Sequence, residues 1–101
     1  MPDFSTQLTY LVDPGHGWLV VPLVEIASLG IEQQISACSF IQGQNAYLEE
    51  DVDAPLYLDA RAAQGIPRPV LDEQYIERFE RPALTFQNPA LDAAFWERLR
   101  R

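Results

Sequence analysis

Apolar and β-branched residues dominate Thr6–Val12 (TQLTYLV), with enough alternation to predict a strand. Asp13-Pro14-Gly15-His16-Gly17 follows. Proline fixes φ and glycine permits positive φ, so this stretch predicts a tight turn with Asp13 as its cap. Trp18–Val21 then predicts a second strand, closing a hairpin. Pro22 opens a helix over 23–29 (LVEIASL), where a first-turn position tolerates the missing N–H. Gly30 suits the left-handed residue that ends such a helix, and Ile31 the apolar contact beyond it.

The same order recurs. Ala37–Gln42 and Ala46–Glu50 predict strands around a Gly43-Gln44-Asn45 turn. A helix follows over 54–64, with Asp53 as N-cap, Pro55 in the first turn and Gly65-Ile66 at the end. This is a weak ββα repeat. Beyond Pro67 the pattern changes, because Pro67, Pro69, Pro82 and Pro89 break it up. Within 67–88, Val70–Phe79 fits one short helix or an extended strand; Leu71, Tyr75 and Phe79 suit i, i+4, i+8 better than alternation, which favours helix or irregular structure. Asn88-Pro89 introduces a last helix over 90–100, with Leu91, Phe95 and Leu99 on one stripe and arginines in its final turn.

These elements predict one α+β domain over 1–101. Two β-hairpins, each followed by a helix, form a four-stranded, mainly antiparallel sheet within 8–66, joined by a Pro-rich segment (67–88) and a C-terminal helix (89–101). A chain of 101 residues holds one core.

Charge sharpens the picture. The net charge is −8, from 15 acidic and 7 basic residues, and every basic residue is arginine. Residues 1–60 hold Asp3, Asp13, Glu25, Glu32, Glu49, Glu50, Asp51, Asp53 and Asp59 with no Lys or Arg. The arginines of 61–101 alternate with acids and read as a solvated, self-paired surface, whose tail is expected to fold back on the acidic half. Without lysine there is no Schiff base, Ser-Lys dyad or P-loop lysine. A cation-free first half has nothing to neutralise a phosphate backbone, so direct nucleic-acid binding is not expected. No apolar run is long enough to span a bilayer. The Met1-Pro2-Asp3 start lacks the basic and apolar regions of a secretory signal, so a cytoplasmic protein is expected.

Candidate chemistry is sparse. His16 is the single histidine and the one ordinary side chain that titrates near neutrality. A small metal-dependent or His-based hydrolase would pair it with Glu49, Glu50 or Asp51. That acidic run lacks the EF-hand spacing, and in a strand Glu49 and Asp51 would face away from Glu50, so no metal site and no cofactor is expected. Ser36, Cys38 and Ser39 are candidate nucleophiles only if the first hairpin and third strand are neighbours. Lone Cys38 otherwise reads as a small buried filler. Trp18, Tyr47 and Tyr57 suit core or rim positions, and Trp96 stands one position off the last helix's stripe. Exposed tryptophans would anchor a partner.

Two stretches, Asp13-Pro14-x-His16-Gly17-Trp18 and Tyr47-Leu48-Glu49-Glu50-Asp51-x-Asp53-Ala54, resemble a pattern of small uncharacterised proteins of bacteria, their phages and plasmids, over roughly residues 8–66. The resemblance implies a bacterial or mobile-element source and a cytoplasmic setting. It carries no activity and no catalytic residue.

The function expected is therefore a non-enzymatic binding protein whose acids engage a basic surface on a protein partner. Glu49, Glu50, Asp51, Trp18 and Trp96 are the candidate contacts. Carboxylates can stand in for phosphates, so an inhibitor of a nucleic-acid-handling protein, such as restriction or CRISPR machinery, is one form. The alternatives are the hydrolase above and a homodimeric structural subunit using the C-terminal helix.

Overall fold

A computed structural model describes residues 3–101; Met1 and Pro2, part of the start read for a signal peptide, lie outside the described residues. Over the described residues the fold is α+β, with three α-helices and a five-stranded mixed sheet. Strands β1 (Gln7–Val12) and β2 (Gly17–Pro22) form the first hairpin, and β3 (Phe40–Gln42) and β4 (Asn45–Glu49) the second. Helix α1 (Leu23–Leu29) follows β2 directly, and α2 (Asp53–Ala63) follows β4. The sheet order is β3-β4-β2-β1-β5, and β5 (Val70–Tyr75) runs parallel to β1.

β5 corrects the expected four-stranded antiparallel sheet. The spacing of Leu71, Tyr75 and Phe79 suggested a helix, but the three belong to different surroundings. Leu71 packs against the core, Tyr75 is 70% exposed, and Phe79 stacks on Trp18 across the opposite face of the sheet. The repeat is not supported beyond the order of its elements. The first hairpin supplies two six-residue strands at the centre, whereas the second places a three-residue β3 at the edge.

Local chemistry explains both early helices. Pro22 precedes α1, and Gly30 closes it at φ 69°, donating to the Ala27 carbonyl while Ile31 donates to that of Ile26. Gly65 and Ile66 repeat this arrangement after α2, bonding the carbonyls of Ala62 and Arg61. Asp53 is not an N-cap, however. It is the first residue of α2 and is buried, and its carboxylate accepts from Ser36 N and Oγ and from Ser39 Oγ. It thus fixes the 36–39 turn, where a strand had been expected, against the start of α2. The last helix, α3 (Ala93–Arg100), is shorter than expected. Asp92 caps it by accepting from Phe95 N, and Asn88 instead organises the preceding turn.

Along each central strand alternate residues face the helices. Leu8, Leu19, Val21, Ala46 and Leu48 point to this side and build the core with Ile26, Ala27, Tyr57 and Trp96. The other face carries Trp18, Val20, Phe40 and Tyr47. Residues 76–84 cross it as a strap. Ile76 N donates to Val12 O at one edge, Phe79 lies 4.0 Å from Trp18 ring to ring in the middle, and Leu84 accepts from Ile41 N at the other. The chain then returns to the helix side, where Phe86 stacks on Trp96 and α3 lies on α1.

Asp13 joins the first hairpin to the strap. Its Oδ1 accepts from Gly15 N and His16 N, and Oδ2 from Phe79 N at 3.2 Å. Desolvation opposes ionisation, but these backbone donors outweigh it and hold the carboxyl below the ordinary aspartate value. The folded state therefore favours the ionised form. The contribution is complete above the ordinary value of about 3.9 and disappears as pH falls through the lower folded value. In an acid titration followed by amide NMR, Gly15 and Phe79 should move together with a midpoint below about 3.9. A midpoint at or above that value would contradict the tether.

Candidate functional site

The described acids divide by what they do. Glu25 and Asp53 are buried acceptors, Asp13 holds a turn, Glu32 pairs with Arg100, and Asp92 caps α3. Glu49, Glu50 and Asp51 remain at the end of β4, where the sheet's register brings that end beside the start of β2. An oxygen from each of the three lies within 4.8 Å of the other two. The chain has left the strand by Glu50, so strict alternation does not separate them.

Each carboxylate has a distinct local setting. Glu49 Oε2 accepts from the backbone N–H groups of Asp51 and Val52, at 3.0 and 3.1 Å, and so shapes the turn into α2. Glu50 Oε2 accepts from the Tyr10 hydroxyl at 2.7 Å. Asp51 is exposed. Glu73 adds a fourth carboxylate, because β5 sets it in register with Tyr10. Burial, the Glu50 hydrogen bond and its charge, then the charges of Glu73 and Asp51, push the Tyr10 hydroxyl above its ordinary value. The phenol remains a proton donor to Glu50 across the physiological range. Among the described residues no ion pair neutralises Glu49, Glu50, Asp51 or Glu73.

Sequence reasoning missed Glu73, because its place depends on the parallel β1–β5 pair. It also missed two arginines that reach back to the first half of the chain. Arg61 is buried beside Glu25, and Arg100 donates to Glu32 and to the Ala27 carbonyl at the end of α1. The tail thus folds back on the acidic half through Arg100, while Arg78–Glu80 and Arg100–Glu97 are pairs within 61–101 of the kind expected there.

Both tryptophans are corrected as partner contacts. Trp18 is 2% exposed under Phe79, and Trp96 is 1% exposed between Phe86 and Phe95. The apolar face of the last helix is wide enough to bury Trp96 against its own chain. Leu91, Phe95 and Leu99 pack on the same core.

His16 lies at the mouth of a cleft shared with Trp18, Cys38, Phe40, Glu49, Asp51 and, from the strap, Arg81. The first hairpin and the 36–39 turn are therefore neighbours. Cys38 is exposed there rather than a buried filler. Ser36 and Ser39 are committed to Asp53. The His16 ring packs 5.4 Å from that of Trp18, and among the described residues no hydrogen bond links the imidazole to Cys38 or a carboxylate. Glu50 turns away to Tyr10.

No helix is long and apolar enough to cross a membrane among the described residues. Comparison with known protein families, curated proteins and solved structures finds no match to this chain.

Gly17 makes the Tyr10–Glu50 contact possible. A Cβ there would collide with the Tyr10 hydroxyl and approach Glu50 Oε2 to 2.9 Å. Both are side-chain ends that can swing aside, so Gly17→Ala should break their hydrogen bond while the fold survives. The loss should be about 1–3 kcal/mol in urea denaturation, with the tyrosine titration of residue 10 moving down toward its ordinary value. Unchanged stability and an unchanged Tyr10 titration would contradict this role for Gly17.

Proposed function

We propose that this protein is a small acidic binding protein that acts without catalysis. It engages a basic surface of a protein partner through Glu49, Glu50, Asp51 and Glu73. The observation that carries this reading is the cluster of Glu49, Glu50 and Asp51 beside Tyr10, with Glu73 in register with Tyr10 and no ion-paired arginine on any of the four among the described residues. Several other acids are matched to arginines or backbone donors, among them Glu25, Glu32, Asp13 and Asp92. Here their field is left to the solvent, and a partner bearing Arg or Lys would complete it. Glu49 and Glu50 are also pre-positioned by hydrogen bonds, so little side-chain freedom is lost on docking.

A surface built to hold phosphates would present the required cations, since carboxylates can occupy the places of phosphate groups. The partner class that fits is a nucleic-acid-handling protein, with restriction or CRISPR machinery as the form suited to a mobile-element-encoded inhibitor. The cytoplasm is the matching compartment.

A hydrolase is the second reading. It is favoured by the cleft that His16, Cys38, Glu49 and Asp51 share, and opposed by an imidazole packed on Trp18. Hydrolysis of p-nitrophenyl acetate that vanishes in His16→Ala would favour it over binding. The homodimer reading is weakened because the α3 stripe packs on α1 of the same chain.

Affinity capture from a bacterial host at low salt should retain a basic partner. Raising salt to about 0.5 M shrinks the Debye length to about 4–5 Å and should release it. The triple substitution Glu49→Gln, Glu50→Gln, Asp51→Asn should lower the association rate by about tenfold or more. A partner held equally well at high salt, or by the triple variant, would refute the electrostatic reading.

A further inference from the structure

The sheet has two edges of different character. At one, β3 is three residues long, and Leu84 of the strap already pairs with Ile41. At the other, β5 is six residues long, and no strand among the described residues pairs with its outer side. Val70 N donates to Thr6 O and Ile76 N to Val12 O. In a parallel pair the N–H and C=O of alternate residues point to the same neighbour. Val70, Asp72, Gln74 and Ile76 are therefore spent on β1, and the backbone groups of Leu71, Glu73 and Tyr75 point outward. Val70 and Tyr75, at the two ends, are 67% and 70% exposed.

Such an edge invites another strand, and its charge limits which strand. Antiparallel pairing of two copies through these outward groups about the centre of β5 would set Glu73 opposite Glu73, and directly opposed like charges destabilise a sheet. The same acids attract a basic strand. Asp72 lies on the strap side and Glu73 on the helix side, so an incoming strand meets a carboxylate on either face. Glu50 and Glu73 are both tied to Tyr10, Glu50 by its hydrogen bond and Glu73 by strand register. Arg68 lies before the strand, and Arg78 beyond it is paired with Glu80, which leaves 72–77 acidic.

We infer that the outer edge of β5 is a receptor for an extended, Arg- or Lys-bearing segment of a protein partner, which adds to the sheet as a sixth strand. Main-chain bonds to Leu71, Glu73 and Tyr75 supply affinity, and Asp72 and Glu73 select basic side chains. The inference rests on the proposed binding function and specifies how the partner is held.

Amide hydrogen exchange of the full chain tests it. The probe is a short synthetic peptide of alternating arginine and valine, compared with an isomer of equal charge carrying a central proline. At low salt, with peptide at about ten times its dissociation constant, exchange at Leu71, Glu73 and Tyr75 should slow about tenfold. The proline isomer should give no such protection. Glu73→Pro removes one outward N–H without taking a bond from β1 and should abolish the protection, whereas Glu73→Gln should weaken it and retain it. Binding that perturbs Glu49–Asp51 while β5 exchange is unchanged would overturn the edge receptor and leave the acidic binding function standing. If neither peptide binds at low salt, both fall. Concentration-dependent protection of these amides without peptide would place a second copy on the edge and also overturn the inference.

Discussion

Arg61 projects from α2 into the interior, where its Nη1 lies 3.8 Å from Glu25 Oε1 of α1. Both side chains are almost fully buried, at 3% and 2% exposure. Burying two charges costs several kcal/mol per ion unless geometry and further hydrogen bonds offset it. Here the offset is extensive. Glu25 accepts from Ser5 N, Ser5 Oγ and the Tyr57 hydroxyl, and Arg61 donates to Tyr57, to the Ser5 carbonyl and to the Pro67 carbonyl. Burial and the Glu25 bond push the Tyr57 hydroxyl above its ordinary value, against the pull of Arg61, so it stays protonated and donates. Within this network Arg61 Nε has no hydrogen-bond partner. The two carbonyls matter most. Ser5 directly precedes the Thr6 carbonyl that accepts from Val70, and Pro67 leads into β5. By holding both, Arg61 sets the starts of β1 and β5 side by side, which is what a parallel pair requires.

The acidic corner depends on that register. Tyr10 faces Glu73 only because β5 lies parallel to β1 with Gln7 opposite Val70. The negative field of the molecule is therefore a product of tertiary structure as much as of composition. Acids distant in the sequence converge on one hydroxyl, while others are withdrawn into the interior by Arg61, Ser36 and Ser39. The net charge of −8 is consequently uneven in effect. It is answered by arginines or backbone donors at Glu25, Glu32, Asp13 and Asp92, and clustered without an ion pair at the end of β4.

The parts of this arrangement governed by neighbours in sequence were legible. Pro22, Gly30-Ile31 and Gly65-Ile66 act within a helical turn, and the Asp13 turn closes on itself, so their residues predict them directly. The acidic run at 49–51 was also visible, because the rest of the fold leaves it outside. What was not legible depends on distant partners. β5 carries polar residues on both faces and exposes one edge, so it lacks the alternation of a half-buried strand, and the clamp that pairs it lies on α2. Asp53 before a helix suggests a cap, and only the fold brings Ser36 and Ser39 to it. Trp18 and Trp96 could as well have lain on the surface until Phe79 and Phe86 were placed over them.

The most direct test of the account is amide exchange in Arg61→Met, which keeps much of the side-chain volume and removes the clamp on Ser5 and Pro67. The account predicts that the inward amides of Asp72 and Gln74 lose their protection first, while those of Leu19 and Leu48 in the central strands remain slow. Protection lost equally across the sheet, or retained in β5, would contradict the claim that Arg61 holds the parallel strand in place.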